Sequence, residues 1–313
     1  MNTSLILMSK LLSMMIIAGV GFVVLRMGVL EERDRKQLAK LTLYVLQPSL
    51  IVLAFQIDLT PERLKGFLLA VVFSGIVQVG FILVSGILRR AGLLGVIEEL
   101  SVIYVNCGNL ILPIVGMTMG QEMVFYASAF PLTFNLLFWT HGISCIEGTR
   151  RIAWKKILLN SNIIALLIGL FLLLTGIPIP GAVRTSMQLM ADMVGPCAML
   201  VVGMTLAGSS VRTVLTFQKG YLVSALRLLV FPFFTLGILY ASGFLTRHPE
   251  YIPVLRVSFM GVAAPPASNV AQIAVLYDRD PVHAGIYNLL GMFFCVLTMP
   301  LIDYVYAQMF VLP

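Results

Sequence analysis

Long apolar stretches separated by short polar segments run through the whole chain. Many of these stretches reach roughly 20 residues, the length of a helix that crosses the hydrocarbon core of a bilayer. The turn residues and charges between them mark the helix ends. The hydropathy pattern predicts ten transmembrane helices, over residues 4–26, 37–56, 66–88, 99–119, 123–146, 157–175, 185–208, 220–243, 252–277 and 283–308.

The composition supports an integral membrane protein. Of 313 residues, 59% are hydrophobic and only 11% are charged, whereas soluble domains carry about 25% charged residues. The mean hydropathy is +0.98. This composition excludes a soluble enzyme, a nucleic-acid-binding domain and a membrane anchor that carries a large soluble domain.

The charges and the cysteines are consistent with an integral membrane protein and suggest no other class. Most of the 21 Lys and Arg residues lie in loops that follow odd-numbered helices, and basic loops stay in the cytoplasm. We therefore expect a multi-pass protein of the cell membrane with both termini outside the cytoplasm. The first apolar run has no cleavage pattern behind it and is interpreted as a retained helix. The four cysteines form no CxxC or Cys/His cluster, so neither a disulfide framework nor a zinc site is indicated.

Prolines recur at corresponding positions of the two halves. Pro48 in the second helix matches Pro196 in the seventh, and Pro113 in the fourth matches Pro265 and Pro266 in the ninth. These offsets indicate two five-helix repeats, residues 1–150 and 151–313. Because each repeat has an odd number of helices, the second is expected to insert upside down, and paired interrupted helices then indicate a transporter binding site.

The interruptions themselves suggest which ligand they bind. Proline removes a backbone donor and opens the helix, and the freed polar groups survive in a membrane only where a cavity, partner or ligand satisfies them. Pro113 and the pair Pro265–Pro266 are expected to begin second half-helices, whose N-termini favour an anion. The carbonyls that end each first half-helix favour a cation such as Na⁺.

Two segments carry a family resemblance. The stretch from Asn106 to Val115 reads NCGNLILPIV, and the stretch from Met260 to Gln272 reads MGVAAPPASNVAQ. Both resemble signature segments of the auxin efflux carrier family, in its bacterial branch. The resemblance extends over the whole chain in helix number and spacing. The central loop, Glu147 to Lys156, is far shorter than the cytoplasmic loop of many plant members.

The resemblance implies an all-α membrane fold like that of sodium/proton antiporters. It implies two inverted five-helix repeats whose broken fourth and ninth helices cross, and a scaffold domain and a transport domain that each draw on both repeats. It also implies transport of organic anions, which are auxin in plant members and malate or malonate in bacterial relatives, and it favours a homodimer. No cofactor is expected beyond a coupling ion, Na⁺ or H⁺.

The candidate substrate-binding residues lie at the two breaks. Amides, small residues and prolines in an apolar span point to ligand contact, with interhelical hydrogen bonding or helix capping as the alternative. A Na⁺ ion is considered near Asn109 and Asn269. The predicted set is Asn106, Gly108, Asn109, Pro113, Pro265, Pro266, Ser268, Asn269 and Gln272.

Four further residues are candidates for coupling or support. Gln47 and Asn135 are amides inside spans, with packing as the alternative. Asp192 is an intramembrane acid and therefore a candidate for ion or proton coupling, the alternative being a place at a cavity rim. Arg227 either snorkels to the cytoplasmic surface or supplies positive field to an anion path.

We expect a secondary active carrier of organic anions that works by alternating access. Competing hypotheses are a sodium-coupled symporter of the bile acid type and a membrane sensor that does not transport. An intramembrane enzyme is disfavoured because paired catalytic aspartates, an HExxH helix and a convincing Ser/His pair are missing from the sequence. An ATP-driven pump is excluded because there is no GxxxxGK[ST] segment.

Overall fold

The computed structural model describes residues 3–56, 60–148 and 158–311, and this part of the chain is built from helices. The helices form along the predicted apolar stretches, because only a helix satisfies its backbone polar groups within one segment. Those of the first half are α1 (Thr3–Arg26), α2 (Glu32–Leu41, Thr42–Leu46 and Gln47–Leu53), α3 (Pro61–Arg90), α4a (Val96–Ile103), α4b (Cys107–Ile111 and Leu112–Thr118) and α5 (Gln121–Ala127, Ala129–Leu137, Phe138–Gly142 and Ile143–Glu147).

The second half consists of two uninterrupted helices, a segmented one, a broken one and a long uninterrupted last one. Short helices at Val211–Thr216, Phe244–Arg247 and Pro249–Tyr251 lie in the connections. The main helices are α6 (Ser161–Thr175), α7 (Gly181–Leu206), α8 (Gln218–Ala225, Leu226–Val230 and Phe231–Ala241), α9a (Ile252–Val262), α9b (Ser268–Leu276) and α10 (Pro281–Phe310).

Each predicted apolar stretch coincides with one of these helices or broken helices, with ends that differ by a few residues. By length and composition, six described segments are able to cross a membrane: Met8–Arg26, Arg63–Arg90, Glu122–Glu147, Gly181–Leu206, Gln218–Ala241 and Pro281–Phe310. The chain is therefore an all-helical membrane protein. Ten crossings and the inverted repeat stay predictions.

The starts of the second half-helices differ from the expectation. Pro113 does not begin α4b, because the unwound residues are 104–106 and the helix resumes at Cys107. Likewise Pro265 and Pro266 lie in the unwound segment 263–267, and α9b begins at Ser268. A π-helical turn, Cys107–Ile111, precedes Pro113, and such a widened turn accommodates a residue that cannot donate a backbone hydrogen bond.

Helices α1 and α7 pack against each other at backbone contact distance. Gly21 lies against the backbone of Leu200, and Gly203 lies against the backbone of Ala18. Glycine allows membrane helices to approach to backbone contact. The two helices therefore leave no room for a side chain at either glycine.

Candidate functional site

The two unwound segments meet and pair through their backbones. Val105 and Pro266 form an isolated antiparallel bridge. The Asn106 N–H donates to the carbonyl of Pro265, and the Ala267 N–H donates to the carbonyl of Tyr104, both at 2.9 Å. Because each unwound segment would otherwise leave backbone groups unsatisfied, each satisfies groups of the other. The breaks of α4 and α9 therefore form one crossing.

Helix α10 supports this crossing from one side. The Asn288 Nδ2 donates to the carbonyl of Pro266 at 2.7 Å, and Asn288 is almost completely buried. Gly291, one turn further along α10, leaves space that the Pro266 ring fills. The proline segment is thus held by a hydrogen bond and by close packing.

A small cavity of about 40 Å³ lies beside the crossing, and we call it the crossing cavity. This volume holds a few water molecules. The described lining includes no Asp, Glu, Lys, Arg or His side chain, while its backbone and apolar lining comes from α2, α4, α5 and α6. The polar side chains that line it are Gln47, Asn106, Ser128, Asn135 and Asn269.

Amide groups give the crossing cavity its chemistry. The Asn269 Nδ2 donates to the Gln47 Oε1 at 3.2 Å, which connects α9b to α2. Asn106 is only 4% exposed, and its Nδ2 has no hydrogen-bond partner within the described residues. A buried donor without a partner costs free energy. The unpaired N–H of Asn106 therefore favours a ligand in the cavity that accepts a hydrogen bond.

A helix N-terminus adds positive potential here. Helix α9b begins at Ser268 after the extended residue Ala267, and no side chain caps it. The first N–H groups of a helix have no intrahelical carbonyl partner, and the helix dipole adds partial positive charge. Asn269 lies in this first turn and lines the cavity. The crossing cavity therefore combines amide donors with a favourable field for an anion.

A wide polar vestibule of about 900 Å³ lies next to the crossing cavity. The two share the lining residues Leu50, Ala54, Gly108, Leu112 and Ser128. Its outer lining carries charges of both signs from α3, α5 and α7. These side chains are Arg63, Glu122, Arg184 and Asp192.

Three of the four vestibule charges contact polar or charged side chains nearby. Arg63 and Glu122 lie 3.6 Å apart across α3 and α5, and Asp192 accepts a hydrogen bond from the Gln188 Nε2 at 2.8 Å. Asp192 is exposed and lines the vestibule as well as a neighbouring cavity of about 300 Å³. The structure thus places Asp192 away from the crossing cavity, at the rim of an open space.

On the opposite side of the crossing, Arg227 of α8 is completely buried. Its Nε donates to the carbonyl of Ala264 at 3.0 Å and its Nη1 to that of Val102 at 3.3 Å. Its Nη2 donates to the carbonyl of Val262. Snorkelling to the surface is therefore wrong, because the half-helix carbonyls offer the guanidinium acceptors inside the protein.

The predicted residues fall into three groups in the structure. Asn106, Gly108 and Asn269 line the crossing cavity together with the supporting candidates Gln47 and Asn135. Pro265 and Pro266 build the crossing through their backbones. Ser268 and Gln272 are fully buried on α9b and are not among the described lining residues.

Two predicted residues have side chains outside the described part of the structure, Asn109 and Pro113. Within the described residues no group of three His, Cys, Asp or Glu side chains is arranged to hold a metal ion.

Sequence reasoning missed Ser128 and the contacts of Arg227. Ser128 lines both the crossing cavity and the vestibule, and its Oγ donates to the carbonyl of Phe125 at 2.6 Å. It lies two helical turns before Asn135, and that spacing places both on one helix face, so helical periodicity gave a signal for it. Arg227 binds backbone carbonyls, which leave no signal in a sequence.

A family model described as "Membrane transport protein" matches residues 6–303 of the chain. The match includes both breaks and every described residue that lines the crossing cavity. No curated protein matches this sequence.

Proposed function

Since the chain belongs to the membrane transport protein family, which is the auxin efflux carrier family, we propose that it is a secondary active carrier of organic anions. The substrate carboxylate binds in the crossing cavity, and the remainder of the molecule extends into the vestibule. The observation that carries this proposal is a buried cavity with amide donors, one of them unpaired, and no acidic side chain in its described lining.

Asn106 and Asn269 bind the carboxylate in this proposal. The carboxylate accepts a hydrogen bond from the unpaired Nδ2 of Asn106. It also competes with the Gln47 Oε1 for the hydrogen bond that the Asn269 Nδ2 donates. Hydrogen bonds to a charged group are stronger than those between neutral groups, so this exchange favours the bound anion. The first N–H groups of α9b add to the attraction.

The difference between the two sides of the crossing supports alternating access. The vestibule joins the crossing cavity on one side, and buried side chains of α4a, α8 and α10 fill the other. Transport requires the domain that carries the crossing to move against the rest, and inverted five-helix repeats of residues 1–150 and 151–313 provide two such arrangements of one fold. In this proposal all ten helices cross the membrane, with the crossing near its middle.

The experiment is flux in proteoliposomes. Purified protein is tested with labelled malate, malonate and indole acetate, across imposed Na⁺ and pH gradients. Asn106→Ala and Asn269→Ala are each expected to lower uptake about tenfold or more, because a hydrogen bond to a charged group contributes about 1.5–3 kcal/mol. Absence of protein-dependent flux for every anion in the panel would overturn the proposal.

A matched control separates binding from folding. Asn162 is a fully buried amide that does not line the crossing cavity, and its Nδ2 donates to the carbonyl of Leu43 at 2.8 Å. Asn162→Ala removes the same chemical group, so it is expected to lower thermal stability while the apparent affinity for the anion stays unchanged. An equal loss of affinity in Asn162→Ala and in Asn269→Ala contradicts the assigned site.

A further inference from the structure

Arg227 contacts the ends of both broken helices at once. Val102 lies in the last turn of α4a, Val262 ends α9a, and Ala264 follows it in the unwound segment. The guanidinium donates to all three carbonyls. Carbonyls at a helix C-terminus lack intrahelical donors, so this one side chain satisfies groups from both halves of the crossing.

The charge of Arg227 is compensated by dipoles and not by an acid. In the described part of the chain no carboxylate forms an ion pair with it, and its charged head lies 5.3 Å from the centroid of the Phe81 ring. An arginine does not lose its proton in a protein. Two helix C-termini, each with partial negative charge, therefore face one full positive charge.

Such a set of carbonyls is also what a hard monovalent cation binds. In carriers with broken helices, unwound carbonyls and half-helix C-termini coordinate Na⁺. Here the guanidinium already occupies three of those carbonyls. A cation that entered would have to displace it and remain beside its positive charge in a medium of low dielectric, where repulsion between like charges is strong.

We propose that Arg227 is a built-in replacement for a coupling cation at the crossing, so that the carrier binds its anion without Na⁺ there. This inference rests on the proposed function and specifies its coupling. The fixed charge keeps α4a and α9a together and keeps the crossing positive, as a bound Na⁺ ion would do in a symporter. Arg227 is a positioning residue, since it does not line the crossing cavity.

The test uses the thermal stability of the full-length protein in detergent, which needs no substrate. Wild-type protein is expected to have the same Tm in equal concentrations of sodium, potassium and choline chloride. Arg227→Ala exposes the three carbonyls, so its Tm is expected to be lower than that of the wild type in choline. Its Tm should rise when choline is replaced by Na⁺, or when low millimolar methylguanidinium is added, because either cation refills the space.

The outcomes separate this inference from the proposed function. A rise in the Tm of the wild type that is specific to Na⁺ would overturn the role of Arg227, even if anion flux is present. An Arg227→Ala protein that folds but responds to neither cation would also overturn it. If Arg227→Ala does not fold, Arg227→Lys takes its place, because it retains the charge. Its Tm is expected to be independent of Na⁺, as in the wild type. A Na⁺-specific rise in the Tm of Arg227→Lys would contradict the inference. No anion flux in wild-type liposomes overturns the proposed function alone.

Discussion

Asn288 shows how a residue that does not line the crossing cavity influences its geometry. Its side chain reaches the carbonyl of Pro266 in the unwound segment, and the backbone of that segment pairs with Val105. Since the same segment leads directly into α9b and Asn269, the hydrogen bond of Asn288 helps to fix where the amide of Asn269 lies. Removing it should disturb the site without removing any group that contacts the ligand.

Asn288→Leu is expected to lower both stability and anion affinity. Leucine has a similar size but donates no hydrogen bond, so the buried carbonyl of Pro266 loses this partner, at a cost of about 1–3 kcal/mol. Thermal unfolding in detergent measures the stability, and anion binding or flux measures the affinity. Phe293→Ala on the same helix is the control, because Phe293 is 56% exposed and its loss should leave the affinity for the anion unchanged. An unaltered Tm in Asn288→Leu contradicts this role.

At the residue level, sequence alone identified most of the polar lining. Asn106, Asn269, Gln47 and Asn135 were recognisable because each is an amide in an apolar stretch, where it must find a partner. The pairing of Asn269 with Gln47 was not predictable, since it joins residues more than two hundred positions apart. The contacts of Arg227 were equally hidden, because any residue type supplies a backbone carbonyl.

At the scale of single helices, prolines mark changes in helix geometry more often than breaks. Pro48, Pro113 and Pro232 each follow a π-helical turn in a helix that continues, whereas Pro196 lies within the regular helix α7. A proline removes one donor, and one widened turn is enough to accommodate that loss. A break requires a partner for several backbone groups, and that partner is the other break. The sequence therefore predicted which helices are broken but displaced the starts of their second halves.

The pair α1 and α7 gives a second prediction at this scale. Gly203→Ala is expected to destabilise the protein by about 1–3 kcal/mol, because the added methyl group meets the backbone of Ala18 and overpacking forces the helices apart. Gly237→Ala in α8 is the matched control, since no atom lies near an added Cβ there. The control should be neutral or stabilising by up to about 1 kcal/mol, as alanine favours a helix over glycine. Equal Tm values for the two variants contradict tight packing of α1 on α7.

Over the whole molecule, the vestibule and a set of ion pairs lie near opposite ends of the helices. Arg63 and Arg184 of the vestibule are at the starts of α3 and α7. The pair Arg63–Glu122 lies at the vestibule, whereas three further charged contacts lie at the other ends. These pairs are Arg89–Glu99 at 2.7 Å, Lys219–Glu98 at 3.3 Å and Lys36–Asp278 at 2.6 Å, with Tyr287 also donating to Glu98 at 3.0 Å.

The distribution of basic residues predicts which side of the membrane each end faces. The loops that hold Arg89, Lys219 and Lys36 are those expected in the cytoplasm, so the vestibule should face the outside. On this prediction the structure is expected to correspond to an outward-open state, in which the ion pairs hold the cytoplasmic ends of the helices together. Sequence alone predicted the orientation but not the state, because opening depends on which helix ends happen to be in contact.

Labelling of single cysteines tests the orientation. Gln188 is exposed and lines the vestibule, whereas Arg279 is exposed in the connection between α9b and α10. In intact cells a membrane-impermeant maleimide is expected to modify Gln188→Cys, and to modify Arg279→Cys only after the membrane is permeabilised. Three native cysteines are buried, and the half-buried Cys145 is replaced by alanine to remove background. The two sites lie at opposite ends of the helices. The reverse labelling pattern would therefore place the vestibule and the start of the chain in the cytoplasm.

Labelling of both sites in intact cells would contradict a single orientation.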